Sequence, residues 1–392
     1  MTQINEHDVV IVGAGPAGSM AAIILAQKGY DVLLLDRYNF PRDKICGDAV
    51  PAGTIERLWH YGLKDKVDQA VERGEFYRVD SLLLVSPRGY DIEADLVDGH
   101  EGAKSYVAPR MHFDALMQQA AVESGAKFCQ AQAKAPIMEN GKVVGVKAQV
   151  NGSTQEFYSK VLIGADGVTS VIARNLRPKE KQHEDKHRAI AIRAYIDDIE
   201  EIPHEVEFYL YKEILPGYAW IFPTGNHTAN IGLGMRLDHF RKHNKNLKKM
   251  LQEFLDMPTI KKRLLNGGQL HDVATWQLNF GSQANMEYSF DGALLVGDAA
   301  GLINPITGGG IYNSTLSAEL ATQVIEKALQ SGDSSQQVLQ EYDQMCHEAM
   351  WDGMKSSHRF QRAFMKFPWL VDVLIRFGKQ SDSLTQTFLE KL

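Results

Sequence analysis

The glycines of the segment GAGPAG carry the first chemistry that can be read from this sequence. Gly13, Gly15 and Gly18 follow a short apolar strand, residues 9–12, and begin a helix. The first glycine permits a tight turn, the second lets a pyrophosphate approach the backbone, and the third lets the helix pack on the strand. Asp36 ends the next strand at about the 20-residue offset where a carboxylate binds ribose hydroxyls. The sequence therefore predicts one dinucleotide site.

A second candidate for chemistry is a thiol. Cys46 lies in the segment NFPRDKICGDAVP and is one of only three cysteines. These cysteines are far apart and have no Cys-x-x-Cys spacing, which argues against a disulfide framework and against a structural zinc site. Arg42 and Lys44 are close enough in sequence to lower the thiol pKa, and Gly47 permits close approach of the backbone to a ring. Free cysteine is also among the most buried residue types, so packing is the alternative.

Two aspartates lie in glycine-framed turns that follow apolar strands. Asp166 belongs to GADGVTS and Asp298 belongs to LLVGDAAG. The flanking glycines let the backbone approach a ligand, although an aspartate after a strand can also be only a helix cap or a turn former. The two segments are more than a nicotinamide-only Rossmann domain requires, and they are typical of flavoproteins.

An aromatic strand is the third candidate. In GYAWIFP, alternation along a strand predicts that Tyr218, Trp220 and Phe222 share one face, while Ala219 and Ile221 share the other. Such a wall can line an apolar pocket. It can equally be core packing of an aromatic-rich strand.

The whole chain has an ordinary globular composition. Its 392 residues are 44% hydrophobic and 23% charged, which suits two or three packed units. A net charge of -7 gives no overall basic field, so a nucleic-acid role has no electrostatic support. No apolar run reaches the roughly 18 residues of a spanning helix, and the first residues do not read as a signal peptide. We expect a cytoplasmic protein.

Six segments together resemble the FAD-dependent geranylgeranyl reductase family, within the wider group that has the p-hydroxybenzoate hydroxylase fold. They are GAGPAG, FPRDKICG, APRMHFD, GADG, GDAAGLINPITGGG and YAWIFP, and the resemblance spans about residues 8–330. It implies one FAD and hydride transfer from reduced flavin to carbon-carbon double bonds of a polyprenyl or related isoprenoid lipid. We find no second glycine fingerprint for a nicotinamide. The electron donor is therefore expected to be NAD(P)H, visiting transiently, or reduced ferredoxin acting as a partner protein.

The resemblance also implies three sets of site residues. The cofactor-binding residues are Gly13, Gly15, Pro16, Ala17, Gly18, Asp36, Arg37, Cys46, Gly47, Arg110, Asp166, Gly297, Asp298, Pro305, Gly308, Gly309, Gly310 and Ile311. The substrate-lining residues are Tyr218, Trp220 and Phe222, and the catalytic residues are Cys46, Tyr218 and Trp220. The family often has glutamate where this chain has Gly309. No metal site is expected.

The predicted fold class is α/β, or α+β overall. A discontinuous Rossmann-like FAD-binding domain is expected from residues 1–74, 105–182 and 283–330, and a mixed or antiparallel substrate-binding sheet domain from 75–104 and 183–282. Residues 331–392 are expected to form a C-terminal helical region. Hairpins are predicted near residues 75–97 and 127–163, with Asn-Gly turns in the second region.

The end of the chain is basic and aromatic. Residues 355–392 carry seven Lys or Arg against three Asp or Glu, interleaved with Phe360, Phe364, Phe367, Trp369 and Phe377. Such an amphipathic segment can make peripheral contact with an anionic bilayer, here at the inner face of the membrane. It can equally dock its apolar stripe on the body of the protein.

Three other functions fit the same fold. A flavin-dependent halogenase is expected to carry Trp-x-Trp-x-Ile-Pro and a catalytic lysine, whereas this strand is YAWIFP and no lysine occurs from Ile45 to Leu63. Aromatic hydroxylation is not excluded by the sequence, because the reaction of a flavin with oxygen depends on the solvation of the cavity, which a sequence does not show. A non-enzymatic flavin-binding or electron-carrying module would make the aromatic wall plain core.

Overall fold

The computed structural model describes residues 6–200, 203–264, 268–367 and 369–378. The strands are β1 (Glu6–Val12), β2 (Val32–Asp36), β3 (Ala49–Val50), β4 (Tyr77–Val79), β5 (Ser81–Val85), β6 (Asp91–Asp95), β7 (Ser105–Val107), β8 (Lys127–Gln130), β9 (Gln132–Glu139), β10 (Lys142–Val150), β11 (Ser153–Gly164), β12 (Arg188–Ile196), β13 (Glu205–Tyr209), β14 (Tyr218–Gly225), β15 (Thr228–Arg236), β16 (Leu270–Asn279), β17 (Ser289–Phe290) and β18 (Ala293–Leu295).

The helices alternate with these strands along the chain. They are α1 (Pro16–Gln27), α2 (Ala52–His60), α3 (Lys64–Glu72), α4 (Arg110–Glu123), α5 (Val171–Leu176), α6 (Leu237–Lys242), α7 (Leu247–Leu255), α8 (Pro258–Arg263), α9 (Gly297–Ala300), α10 (Ile311–Ser331), α11 (Gln336–Leu339), α12 (Glu341–Cys346), α13 (Asp352–Lys366) and α14 (Trp369–Gly378). A π-helical turn, His347–Trp351, joins α12 to α13. None of these described helices combines the length and the hydropathy that crossing a membrane requires.

The first sheet holds the dinucleotide loop. Its strand order is β17-β18-β11-β1-β2-β8, and β1 pairs in parallel with both β11 and β2. Residues 9–12 of β1 and 32–35 of β2 are continuous apolar runs because helices cover the sheet there. The buried residues of α1, α4 and α10 join the same hydrophobic core. The glycine turn therefore follows the carboxyl end of a central strand, which is the usual place for a ligand in a parallel sheet.

The second sheet has the order β16-β12-β15-β14-β13-β5-β6. Neighbouring strands are antiparallel except β13 and β5, so the sheet is mixed, as predicted. One face packs on α7, where Ile221, Leu233 and Phe254 belong to one buried cluster. The other face carries Trp220 and Phe222, which belong to a different cluster. The alternation predicted for the aromatic strand is confirmed.

The hairpin predictions are confirmed in part. The strands β5 and β6 form one hairpin, and β9, β10 and β11 form a meander. Its turns are Asn140-Gly141 and Asn151-Gly152, and all four residues have the positive φ that such turns need. The prediction is wrong for β8 and β4. The strand β8 pairs in parallel with β2, and β4 pairs with β7 in a separate three-stranded sheet.

The described part of the C-terminal region docks on the body of the protein. Ser357 and Gln361 of α13 are buried, and Val371 and Ile375 of α14 pack against the β5–β6 hairpin. The opposite side of this region leaves Phe367, Trp369, Val373 and Leu374 exposed, and we call these four residues the C-terminal apolar face. The predicted tail continues to residue 392, and residues 379–392 lie outside the described residues. The side chain of Phe377 is not described either.

Candidate active site

A cavity of about 670 Å³ lies between the loops of the first sheet and the aromatic face of the second. This volume is within the range of sites that hold drug-sized ligands and cofactors. Every predicted site residue except Gly18, Gly297 and Gly309 lines the cavity. The structure therefore brings together segments that are spread over some 300 residues of sequence, from Gly13 to Ile311.

The three glycines of GAGPAG have different surroundings. A Cβ atom at Gly13, which has a φ of 103°, would lie 2.3 Å from the Ala165 carbonyl oxygen. A Cβ atom at Gly18 would lie 1.8 Å from the Gly13 carbonyl oxygen. These two glycines therefore let the turn and the helix pack. At Gly15, by contrast, the nearest atoms would be Nη2 of Arg42 and Nη2 of Arg110, 3.8 and 3.9 Å away.

The guanidinium groups of Arg42 and Arg110 border this open space, and both contact the carboxylate of Asp114. Arg110 is buried and makes a two-pronged ion pair with Asp114, over 2.6 and 2.7 Å. Nη1 of Arg42 lies 2.5 Å from the same carboxylate. Burial acts to raise the pKa of Asp114, but the two arginines hold it below its ordinary value. The cluster has one positive charge in excess, facing Gly15 and the amino end of α1, which fits an anion such as a pyrophosphate.

The aspartates of the site have distinct partners. Asp36 ends β2 and accepts hydrogen bonds from the backbone N–H groups of Ala14 and Tyr38, both over 2.9 Å. Asp166 accepts from Ser170 Oγ and from Val171 N, so its carboxylate caps α5. Asp166 therefore acts as a helix cap in this structure, which was one of the two alternatives. A contact between Asp166 and a cofactor stays a prediction.

The loop before α10 is held from two sides. The phenol of Tyr218 donates a hydrogen bond to the Thr307 carbonyl, and Nε2 of Gln361, on α13, donates to the Pro305 carbonyl over 2.6 Å. Gly308 and Gly310 line the cavity, while Gly309 is exposed. Since α10 is 21 residues long, its amino end presents unpaired amides and a partial positive charge at the cavity.

Cys46 is half-buried and lines the cavity. Burial raises the pKa of its thiol, and the negative charge of Asp48 acts in the same direction, against Arg110 and Lys44. The expectation of a lowered thiol pKa is therefore wrong. Of the two residues held to lower it, Arg42 is paired with Asp114 and Lys44 with Asp298. A thiol that stays protonated is suited to give a proton rather than to attack as a thiolate.

The aromatic wall stands beside a floor of small residues. A Cβ atom at Gly232 would lie 2.3 Å from Cζ2 of Trp220, so the indole lies directly over β15. Ala191 and Gly234 continue the floor, and Trp276 lies on its far side. Gly47 does permit close approach to a ring, but that ring is Phe222, whose Cε2 would be 3.0 Å from a Cβ atom at Gly47.

A polar layer that the sequence did not predict lies next to Cys46. Asp48, Tyr195 and Asn230 are joined by hydrogen bonds, and Arg193, fully buried, lines the cavity beside Tyr195. Alternation along β12 and β15 would have placed Arg193 on the cavity face. Nothing in the sequence pairs Asp48 with Asn230, since 182 residues separate them.

The residues present fit an FAD. The open space at Gly15 would hold the phosphates between the amino end of α1 and the arginine pair, and Asp36 and Asp298 are available for hydroxyl groups. The apolar half of the cavity could then hold the flavin ring and a hydrocarbon chain beside it.

Comparison with known proteins agrees with this arrangement. The family described as "FAD binding domain" matches residues 6–357. The digeranylgeranylglycerophospholipid reductase of Methanocella arvoryzae is 31% identical over 369 residues, which are 92% of this chain and 88% of that protein. The enzyme of the same name from Methanosphaerula palustris is 32% identical over 368 residues, covering 92% and 87%.

Solved structures give the same result. A geranylgeranyl bacteriochlorophyll reductase-like protein from Thermoplasma acidophilum has a TM-score of 0.80 and 26% identity, and covers 100% of both chains. A flavin-dependent brominase has a TM-score of 0.81 at 22% identity over 98% of this chain and 93% of that one, and shows the fold alone. The chain therefore belongs to the geranylgeranyl reductase family of FAD-binding proteins.

Proposed function

We propose that this protein is an FAD-dependent reductase that saturates carbon-carbon double bonds in the polyprenyl chains of a lipid. The observation that carries the proposal is the placement of the Cys46 thiol in one cavity with an aromatic wall and a dinucleotide-type glycine loop, and burial raises the pKa of this thiol. The names of the relatives, digeranylgeranylglycerophospholipid reductases, supply the substrate class.

Several groups of this chain would hold the cofactor. Arg42 and Arg110 would neutralise its phosphates, Asp36 would accept from the ribose, and Asp298 would accept from the ribityl chain. When bound, FAD supplies the hydride. The amino end of α10, at the cavity wall, would favour negative charge on a reduced ring bound next to it.

The aromatic wall and the small-residue floor select and orient the substrate. A prenyl chain offers almost nothing to hydrogen-bond, so it is held by apolar contact and by the exclusion of water. Trp220 and Phe222 form one side of the groove, and Trp276 forms the other. Ala191 and Gly234 leave the depth of the groove free for methyl branches. Such a groove would hold the chain with one face of a double bond toward a bound flavin.

The thiol of Cys46 would supply the proton that accompanies hydride addition. Bulk water is poorly placed in an apolar groove, and a positioned acid contributes about 10²- to 10⁴-fold to such a step. Tyr218 is less suited, because its phenol is already donated to the Thr307 carbonyl and burial raises its pKa. We assign Tyr218 to holding the glycine loop and lining the groove.

Two partners complete the proposal. NAD(P)H or reduced ferredoxin reduces the flavin. A lipid bilayer is the second partner, and the protein contacts it peripherally from the cytoplasmic side through the C-terminal apolar face. Trp369 is 52% exposed and Phe367 is 41% exposed, and Lys366 and Arg376 lie next to the face in sequence. Such a combination suits the surface of an anionic bilayer.

The proposal is tested by product analysis in the presence and absence of oxygen. Flavin-loaded protein is supplied with digeranylgeranyl lipid and, in separate reactions, with NADPH, NADH or reduced ferredoxin. If the protein is a reductase, we expect anaerobic conversion of the lipid to a product that is heavier by two hydrogen atoms for each double bond saturated. Product that forms only in air and contains added oxygen would show a monooxygenase instead.

A further inference from the structure

A buried carboxylate lies two residues after Cys46 and is not accounted for by the proposed function. Asp48 has no exposed surface, and Oδ2 accepts hydrogen bonds from Tyr195 Oη over 2.6 Å and from Asn230 Nδ2 over 2.7 Å. Its other oxygen, Oδ1, is buried and has no hydrogen-bond partner among the residues that the structure describes. A carboxylate in this position is costly to bury. A neutral side chain would make a more stable loop.

Asn230 connects this carboxylate to the site. Its Nδ2 also donates to the Cys46 carbonyl over 2.7 Å, and its Oδ1 accepts from Trp220 Nε1 over 2.9 Å. One fully buried amide therefore joins the cysteine segment, the aromatic wall and Asp48. Both residues that it holds, Cys46 and Trp220, line the cavity.

The charge of Asp48 fixes which way this amide points. An asparagine amide has a donor end and an acceptor end. A flip would aim Oδ1 at the Asp48 carboxylate and at the Cys46 carbonyl, and would leave the Trp220 N–H facing a donor. A negative charge on Asp48 makes that flipped state unfavourable, which a neutral side chain would do only weakly.

We propose that Asp48 and Asn230 are positioning residues for proton delivery: Asp48 fixes the orientation of Asn230, and Asn230 holds Cys46 and Trp220 in one arrangement on the cavity wall. This inference rests on the proposed function, in which the Cys46 thiol gives the proton. Neither residue touches the reacting atoms.

The negative charge of Asp48 also affects the pKa of the Cys46 thiol. The groups that face Asp48 are Tyr195 and Arg193 on β12, Arg110 at the start of α4, and Cys46 itself. Arg193 and Arg110 are each paired with another carboxylate, Asp43 and Asp114. Burial is the main cause that raises the pKa of the Cys46 thiol, and the negative charge of Asp48 adds to it, against Arg110, Lys44 and the Asp48 backbone N–H, which act to lower it.

The test compares Asp48→Asn and Asn230→Ser with a control on the same hairpin. Thr224→Val removes the Thr224–Thr228 hydrogen bond between β14 and β15, and neither threonine lines the cavity. In an anaerobic single turnover of flavin-loaded protein, we expect both test variants to keep FAD and its rate of reduction. Their reoxidation by the prenyl lipid should slow by about 10- to 100-fold, the effect of a small misplacement of a reacting group. Thr224→Val should match the wild type.

Two further readouts separate positioning from a general structural role. In a Cys46→Ser background, Asp48→Asn should cause no additional slowing, because it acts through the thiol. Alkylation of Cys46 by iodoacetamide, followed by mass spectrometry of its peptide, should be faster in Asp48→Asn at a given pH, because loss of the negative charge lowers the thiol pKa. The melting temperature of flavin-loaded Asp48→Asn should equal or exceed that of the wild type.

Each outcome has one meaning. Wild-type reoxidation in both test variants, or equal slowing by Asp48→Asn with and without Cys46, would overturn the positioning role. If Cys46→Ser alone reoxidises at the wild-type rate, the proposed role of Cys46 fails, and this inference fails with it. If Cys46→Ser is slow while Asp48→Asn is not, only this inference fails.

Discussion

Nζ of Lys44 lies 2.8 Å from Oδ2 of Asp298, and this ion pair joins the cysteine segment to the turn before α9. Both residues line the cavity. A partly exposed ion pair contributes little to the stability of a fold. Its consequence is instead positional, because the pair holds the Asp298 carboxylate at the cavity wall beside Gly310, where a cofactor hydroxyl can reach it.

Replacing this carboxylate should weaken FAD binding without unfolding the protein. A hydrogen bond to a charged group contributes about 1.5 to 3 kcal/mol, so Asp298→Asn should raise the FAD dissociation constant by at least about 10-fold. Titration of flavin-free protein, followed by flavin fluorescence, measures this. Glu326→Gln, which removes an ion pair with Lys28 on the protein surface, is the control. Equal affinity in Asp298→Asn and wild type would refute the assignment of Asp298 to the cofactor.

Gly15→Val should give folded but colourless protein. Apart from its own chain neighbours, the atoms nearest to a Cβ atom at Gly15 are the guanidinium nitrogens of Arg42 and Arg110, 3.8 and 3.9 Å away. We therefore expect the fold to tolerate the valine, whose side chain would occupy the space assigned to the phosphates. The absorbance ratio of flavin to protein after purification and the far-ultraviolet circular dichroism measure the two parts of this prediction. Gly353→Ala is the control, since nothing lies within 4 Å of a Cβ atom at Gly353 and this residue does not line the cavity. A yellow, fully loaded Gly15→Val would show that the phosphates bind elsewhere.

The sequence was sufficient to predict those cavity-lining residues whose position depends on one local segment. Gly13, Gly15 and Asp36 follow from a fixed spacing on a strand, turn and helix, and Trp220 and Phe222 follow from alternation along one strand. Such patterns depend on covalent geometry, so they survive without knowledge of the fold.

Contacts between distant segments could not be predicted in this way. The pKa of Cys46 depends on burial and on Asp48, whereas the sequence shows only its basic neighbours. Asn230 reads as an ordinary polar residue of β15, and its hydrogen bonds to Cys46 and Asp48 are evident only where β15 meets the cysteine segment. The pairing of β8 with β2 was missed for the same reason, because parallel partners are not adjacent in sequence.

Asp48 should make the fold less stable as the pH rises. Burial raises its pKa from 3.8 to about 6, although hydrogen bonds from Tyr195 and Asn230 act to lower it. Between these values the native protein binds more protons than the unfolded chain, so the free energy of unfolding falls with increasing pH, by an amount on the order of 3 kcal/mol in total. Asp48→Asn should not show this pH-dependent fall in the free energy of unfolding. Its melting temperature relative to wild type should be higher at about pH 8 than at about pH 4, and an equal difference at both would contradict the raised pKa.

The C-terminal apolar face should contribute to vesicle binding. Trp369→Ser combined with Leu374→Ser removes two exposed apolar side chains, each of which contributes about 1.5 to 3 kcal/mol when it is fully buried. We expect at least about 10-fold weaker binding to phosphatidylglycerol vesicles in a flotation assay, with unchanged FAD content. Met138→Ser, an exposed apolar residue on β9, is the control. Unchanged binding would exclude the face as the membrane contact.

The most direct measurement is one anaerobic turnover of the reduced protein with its lipid. Flavin-loaded protein is reduced with a stoichiometric amount of dithionite, mixed with digeranylgeranyl lipid without oxygen, and followed by flavin absorbance and by mass spectrometry of the lipid. We expect the flavin to reoxidise and one double bond to be saturated for each flavin, with both events slowed by about 10²- to 10⁴-fold in Cys46→Ser. Flavin that stays reduced until air is admitted, with lipid recovered unchanged or oxygenated, would contradict it.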